Sequence, residues 1–312
     1  MSPAPGTGPG PGLGPAPALR VTWLGHSTAV LDLTGPDGRT TRLVTDPLLR
    51  RHAGVLRRRG DRPAADAWRG ADAALLSHLH HDHAELGSLR LLGDVPVLTA
   101  PANARWLRGK GLRGVGLEPP AGSLGRTGPG GRPAQEGVAH GGAWYEVGGA
   151  RVRLVTAVHG DRPMPHRPNA ATGHLVRAGG DGGGAPTVWA VGDTEHFPGI
   201  GRVRELAGGR VDVALVPVSG WGPRLSGGHL GPGGAAEVCA RVRPRVAIPV
   251  HWGTLHVPGG EHLPRGWMDH AGEAFAAAVR RVAPEVRAVV LRPGESWRDT
   301  PDGEGLVEHV FG

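Results

Sequence analysis

The sequence predicts a mixed α/β domain in which two β-sheets pack together and helices flank them. Three observations lead there. Short apolar runs recur along the chain and are broken by only a few helical patterns. Some of these runs, 73–76 and 211–216 among them, are apolar throughout, as in a strand buried in the interior. Residues able to bind metal follow several runs between positions 73 and 251 and must converge, which favours one domain for a chain of 312 residues.

Residues 1–18 are almost entirely Pro, Gly, Ala, Ser and Thr and read as a disordered tail, leaving 19–312 as the folded domain. Residues 21–24 and 29–33 are expected as the first two strands. The turn signal Gly35-Pro36-Asp37-Gly38 separates them from a third at 41–45. Residues 73–76 form a buried strand and 96–99 a short one, followed by a short helix over 103–110 that Gly111 stops. The segment 119–142, rich in Gly, Pro and Arg, reads as a long surface insertion. A strand over 152–158 comes next, and a flexible hairpin turn over 179–185 leads into a strand at 187–191. A helix over 202–207 and a buried strand over 211–216 follow. Helices over 234–242 and 269–282, with apolar positions three and four apart, enclose a strand at 246–250. A last strand is expected at 289–291.

Composition narrows the function. No apolar run is long enough to span a membrane. The N-terminal stretch has neither a basic start nor an apolar core of the secretory kind. Cys239 is the single cysteine, so no intramolecular disulfide can form, and a cytoplasmic location is expected. Cys239 falls inside a helical pattern as a small core residue with no part in metal binding. The net charge of +7 and isoelectric point of about 11.0 admit an anionic partner. The densest basic stretch, Arg50 to Arg62, suits either a phosphate-bearing substrate or a solvated surface. No glycine-rich segment has the strand–loop–helix setting of a nucleotide-phosphate loop.

The chemistry concentrates in Ser77-His78-Leu79-His80-His81-Asp82-His83. Neutral imidazole nitrogens and carboxylate oxygens are the usual ligands of zinc and similar ions. His78 and His80 lie two apart and point the same way in extended chain. Asp82 and His83 are adjacent, so they reach a common ion only if the chain turns there. The run thus offers two ligands to one ion and two to a neighbour. Further candidates each follow an apolar run: His159 after 152–158, Asp193 in Gly192-Asp193-Thr194 after 187–191, and His251 in His251-Trp252-Gly253-Thr254 after 246–250. Loops at the ends of buried strands are where a rigid sheet holds functional side chains.

His78-x-His80-x-Asp82-His83, followed in order by His159, Asp193 and His251, resembles the signature of the metallo-β-lactamase superfamily. Trp23-Leu24-Gly25-His26 and Thr45-Asp46-Pro47 resemble one branch of it, which includes L-ascorbate 6-phosphate lactonase and N-acyl-phosphatidylethanolamine phospholipase D. The resemblance runs from about residue 21 to about residue 291. It implies a four-layer αββα sandwich with the metals at the edge between the sheets. It also implies two divalent ions, Zn2+ first and Mn2+ next. His78, His80 and His159 would bind one, Asp82, His83 and His251 the other, with Asp193 bridging. A hydroxide held between two such ions, roughly 3.5–4 Å apart, would attack phosphorus or a carbonyl carbon.

Other residues receive supporting roles. Asp82 also orients the nucleophile. His26 donates a proton, contacts substrate or backs a ligand. His229, before Leu230-Gly231-Pro232 at an expected helix start, contacts substrate or caps the loop. Asp46 accepts the outer N–H of a bound imidazole, and Thr254 is a lesser candidate of the same kind. His81 occupies a free position of the motif and is left out. His140, His166, His174, His256, His262 and His270 carry no signal that separates them from surface histidines.

The resulting expectation is a binuclear metal-dependent hydrolase of phosphodiester or lactone/ester bonds in a small anionic molecule. A ribonuclease of the same fold is the alternative, disfavoured because basic and aromatic residues do not interleave; a non-catalytic metal-binding module is the other. An exported lactamase lacks its export signal here, and a diiron oxidoreductase would carry Glu where His80 stands. Oligomeric state is not encoded in any motif.

Overall fold

In the computed structural model, residues 18–118, 143–159, 167–179, 185–300 and 303–309 are described. The expected tail, except Ala18, and the insertion at 119–142 lie outside them, as does most of the turn at 179–185.

The chain opens with an antiparallel meander of β1 (Ala18–Gly25), β2 (Thr28–Thr34) and β3 (Thr40–Thr45). A hairpin of β4 (His52–Ala53) and β5 (Leu56–Arg58) follows. Then β6 (Ala73–Leu75), helix α1 (Leu86–Leu91), β7 (Val97–Thr99), α2 (Pro101–Arg108) and β8 (Gly114–Gly116) extend the first sheet in parallel.

The second sheet begins antiparallel, with β9 (Tyr145–Val147), β10 (Ala150–Thr156), β11 (Thr172–Ala178) and β12 (Thr187–Ala190). It continues in parallel through α3 (Val203–Leu206), β13 (Val213–Pro217), α4 (Pro232–Val242) and β14 (Val246–Val250). Strand β15 (Leu255–His256) pairs with β5 instead, making a three-stranded ribbon. After α5 (Ala271–Val282), β16 (Arg287–Ala288) closes the second sheet, and β17 (Glu295–Arg298) and β18 (Leu306–His309) return to the first. The orders are β18-β17-β1-β2-β3-β6-β7-β8 and β16-β14-β13-β12-β11-β10-β9.

Alternate side chains of each central strand explain the apolar runs. In β2, Ala29, Leu31 and Leu33 face the other sheet; in β14, Val246, Ile248 and Val250 do the same from the opposite side. Their out-facing neighbours go under helices: Ala74 and Leu76 beneath α1 and α2, Ala214, Val216 and Ala247 beneath α4 and α5. The result is the four-layer αββα order, helices outside and sheets inside.

Several elements depart from the expected ones. The strand expected at 289–291 lies instead at Arg287–Ala288, with only the Val289 N–H still bonded to the Ala247 carbonyl at 2.9 Å. Strands β4, β5, β8, β9, β11, β15, β17 and β18 and helix α1 were not anticipated; most are too short to show a period. The chain turns at Asp82 and His83 as expected, with His83 N–H to His80 O at 3.1 Å, but α1 begins later, capped by the Glu85 carboxylate on the N–H groups of Gly87 and Ser88. Among the described residues no helix is long and apolar enough to cross a membrane.

Candidate metal centre

Strand ends of both sheets deliver the site. β1 leads to His26, β3 to Asp46, β6 to the His78–His83 run, β10 to His159, β12 to Asp193 and β14 to His251. His229 stands just before α4. His26, Asp46 and His251 all adopt left-handed backbone, with φ of 51°, 34° and 63°. Such conformations cost about 1–3 kcal/mol each and persist only where the surroundings impose them. The Thr254 hydroxyl accepts the His26 N–H at 2.8 Å, and the His26 carbonyl accepts the His251 N–H at 2.8 Å, tying two of these residues together.

The imidazoles converge in two groups around one carboxylate. His80 Nδ1 lies 3.0 Å from both His78 Nε2 and His159 Nε2. His83 Nε2 and His251 Nε2 are 3.1 Å apart, with Asp82 Oδ2 at 3.6 and 3.5 Å from them. Asp193 Oδ2 stands between the groups, 3.2 Å from Nε2 of His83, His251 and His229 and 4.0 Å from Nε2 of His78 and His159. Every position read from the sequence as a ligand or as its support is in or against this cluster. His81, left out of it, is exposed and packs near Gly54.

The outward nitrogens decide where protons sit. His83 Nδ1 donates to Asp46 Oδ2 at 2.9 Å, His159 Nδ1 to the Gly228 carbonyl at 2.8 Å and His251 Nδ1 to the Ser219 carbonyl at 2.9 Å. Ser77 supplies both its N–H (2.7 Å) and its hydroxyl (2.8 Å) to Asp46. Its oxygen is thereby free to accept from His78 Nδ1 at 2.9 Å. Each of these four imidazoles thus turns a proton outward and a lone pair inward, the tautomer a metal ligand needs. Ser77 was not read from the sequence as functional: its role exists only because Asp46 meets it in space. Asn169, whose amide lies 3.1 Å from His80 Nε2, was missed for the same reason.

Lone pairs facing one another at about 3 Å need a cation between them. In the bare protein a proton fills that place between His83 and His251. Burial opposes the charge on His83, but Asp193, Asp82 and Asp46 outweigh it and hold His83 well above the imidazole range. His251 is raised to about 9 in the same way, chiefly by Asp193. Burial lowers His78 well below its ordinary value, His159 to about 4 and His26 to about 3. Burial works against ionised Asp82 and Asp193, yet the facing imidazoles keep both well below the carboxylate range. Asp193 Oδ1 is buried with no hydrogen-bond partner. A carboxylate with one oxygen surrounded by nitrogens and the other unclaimed fits a bridging ligand. The N/O donor set fits zinc, or manganese with its preference for oxygen.

His26 differs from the other imidazoles. Its Nε2 is 3.0 Å from Asp82 Oδ2, while Nδ1 is buried without a partner. The cheaper tautomer puts the proton on Nε2, where it bonds the carboxylate, and leaves only an unfilled acceptor at Nδ1. The basic stretch also resolves. Arg58 is buried, and its guanidinium bonds the carbonyls of Leu24, Leu48 and Asp61, with burial lowering its pKa to about 10. It fastens the β4–β5 hairpin. His174 and His256, grouped with surface histidines on sequence grounds, are buried.

A family model described as a β-lactamase superfamily domain matches residues 41–252. A UPF0173 metal-dependent hydrolase from Azorhizobium caulinodans is 30% identical over 285 residues, covering 89% of this chain and 99% of that protein. Igni18, described as a novel metallo hydrolase from Ignicoccus hospitalis, superposes with a TM-score of 0.60 at 20% identity, covering 91% of this chain and 99% of that one. CmlA, a diiron β-hydroxylase from Streptomyces venezuelae, superposes with a TM-score of 0.56 at 16% identity, covering 95% of this chain and 54% of that one. At such identities the superpositions speak for the fold alone. The family match over more than half its length, together with a relative aligned almost end to end, establishes that this chain belongs to the metallo-β-lactamase superfamily.

Proposed function

We propose that residues 19–312 form one catalytic domain, a binuclear metal-dependent hydrolase that cleaves a phosphodiester or a lactone/ester bond in a small anionic substrate. The observation that carries this reading is Asp193 Oδ2, set between His78 and His159 on one side and His83 and His251 on the other. His78, His80 and His159 would hold one ion and Asp82, His83 and His251 the other, with Asp193 shared. Divalent ions bound there would supply hydroxide at neutral pH and positive charge for the attacked group.

The protein's own groups prepare the rest. The His26 Nε2–H fixes one Asp82 oxygen, so the carboxylate is held in one orientation. His229 is more exposed than His78, His83, His159 and His251, its side chain 13% accessible against 0–2% for those four. It is placed to meet a substrate oxygen or pass a proton at Nε2. Gly54, at the tip of the β4–β5 hairpin, approaches the His81 ring, which brings that hairpin and its exposed Arg57 beside the opening. This and the net charge of +7 support an anionic substrate.

The test is metal analysis followed by a substrate panel. Gently purified or reconstituted protein should hold about two equivalents of Zn2+ or Mn2+ and hydrolyse a chromogenic phosphodiester or a lactone. Protein that takes up no metal refutes the reading, and cleavage of structured RNA alone would reassign it as a ribonuclease.

A further inference from the structure

We infer that Asn169 is a positioning residue for His80: its side-chain carbonyl accepts the His80 Nε2–H and so fixes His80 to bind metal through Nδ1. The inference rests on the two-metal reading above. His78, His83, His159, His229 and His251 all face inward with Nε2, and His80 is reversed. Its Nδ1 lies 3.0 Å from His78 Nε2 and 3.0 Å from His159 Nε2. A ligand that binds through Nδ1 carries its proton on Nε2, and that proton needs an acceptor.

Asn169 is the amide at that position. Its Nδ2 stands 3.1 Å from His80 Nε2, which would set donor against donor in the Nδ1-binding tautomer, while its Oδ1 is buried without a partner. A half-turn about the Cβ–Cγ bond leaves the amide's shape unchanged and exchanges the two atoms. The carbonyl then accepts from Nε2, and the orphaned oxygen is satisfied in the same move. The backbone holds Asn169 there independently of metal. The buried Asn103 side chain on α2 donates to the Ala170 carbonyl at 2.8 Å and accepts the Ala170 N–H at 3.3 Å.

A consequence is a ranking of the two ions. His83 is backed by the carboxylate of Asp46, and its ion also has Asp82. The His78, His80 and His159 set carries no carboxylate of its own, and Asn169 offers His80 an amide where Asp46 offers His83 a carboxylate. The ion on that set should leave first, and losing Asn169 should loosen it alone.

Titration against a chromophoric chelator tests this with Zn2+. Wild type should bind two equivalents. Asn169→Ala should keep the tighter one unchanged and bind the other roughly 10–100-fold more weakly. Asn169→Asp, which retains an acceptor, should restore the second equivalent. Thermal unfolding of the chelator-treated variants should match wild type. Undiminished binding of both ions by N169A, or N169D binding as poorly as N169A, overturns the inference. So does any imidazole 15N spectrum of wild-type zinc protein that puts the His80 proton on Nδ1, a readout that needs no variant. Wild type without metal would instead defeat the two-metal reading itself.

Discussion

Asp46 reaches both halves of the site with one carboxylate. It accepts directly from His83 and, through the Ser77 hydroxyl, orients His78. Asp46→Asn keeps the shape and an acceptor for the Ser77 N–H, but removes the charge that raises the basicity of both imidazoles. Both ions should therefore bind more weakly, each by roughly 10–100-fold, in contrast to the single ion lost with Asn169. A chelator titration of Asp46→Asn that weakens only one equivalent would show that Ser77 does not relay. The metal-facing residues were legible in the sequence because each follows a buried strand and has chemistry its neighbours lack. The residues behind them were only half legible. Asp46 stands in a recognisable Thr-Asp-Pro, but Ser77 and Asn169 are ordinary polar residues until folding brings Asp46 and His80 against them.

At the scale of elements, the close approach of α5 to the site matters. A Cβ on Gly272 would lie 2.5 Å from Cζ2 of Trp252 and 2.9 Å from Cγ1 of Val290. Trp252 follows His251 and stacks on Trp23 with ring centroids 5.3 Å apart, so it cannot swing away freely. Gly272→Ala should cost about 1–3 kcal/mol through overpacking, even though alanine is the better helix former. Urea unfolding measures it; a neutral or stabilising result would mean the helix slides without penalty. Helix α5 itself was readable from its apolar spacing, yet nothing in that spacing marks Gly272 as a contact. The same holds for strands. β11 escaped notice because His174 and Arg177 interrupt its apolar residues, and both are accommodated only by tertiary partners: the Leu98 carbonyl for His174, and the Thr187 hydroxyl and Ala207 carbonyl for Arg177. Residues 50–62 read as suited to either a phosphate-bearing substrate or a solvated surface, whereas Arg58 is an internal fastener whose carbonyl partners come from three separate segments.

Across the whole molecule, the two sheets meet through an almost wholly apolar layer, and His174 is a polar link across it. Its ring lies on β11 of the second sheet, and its Nε2–H donates to the Leu98 carbonyl on β7 of the first at 3.2 Å. Burial lowers its pKa to about 4, against which the Asp46 charge and the Leu98 bond act only partly. The folded protein therefore keeps His174 neutral at pH values where the unfolded chain, with a pKa near 6.5, already binds a proton. Above that value the group leaves stability unchanged. As pH falls from about 6.5 to 4 the unfolded state gains the extra proton, and about 3 kcal/mol of stability is lost before the effect levels off. His26 and His159 pull in the same direction over this range in metal-free protein, so the slope mixes several groups, while His251, raised to about 9, has its opposite effect only between about pH 6.5 and 9. The difference between wild type and His174→Gln isolates one of them, because glutamine retains a donor for Leu98 and does not titrate. Chelator-treated wild type should lose stability relative to His174→Gln between pH 6.5 and 4, read from urea midpoints at half-unit steps. Parallel curves would mean that His174 takes up its proton without disturbing the contact between the sheets.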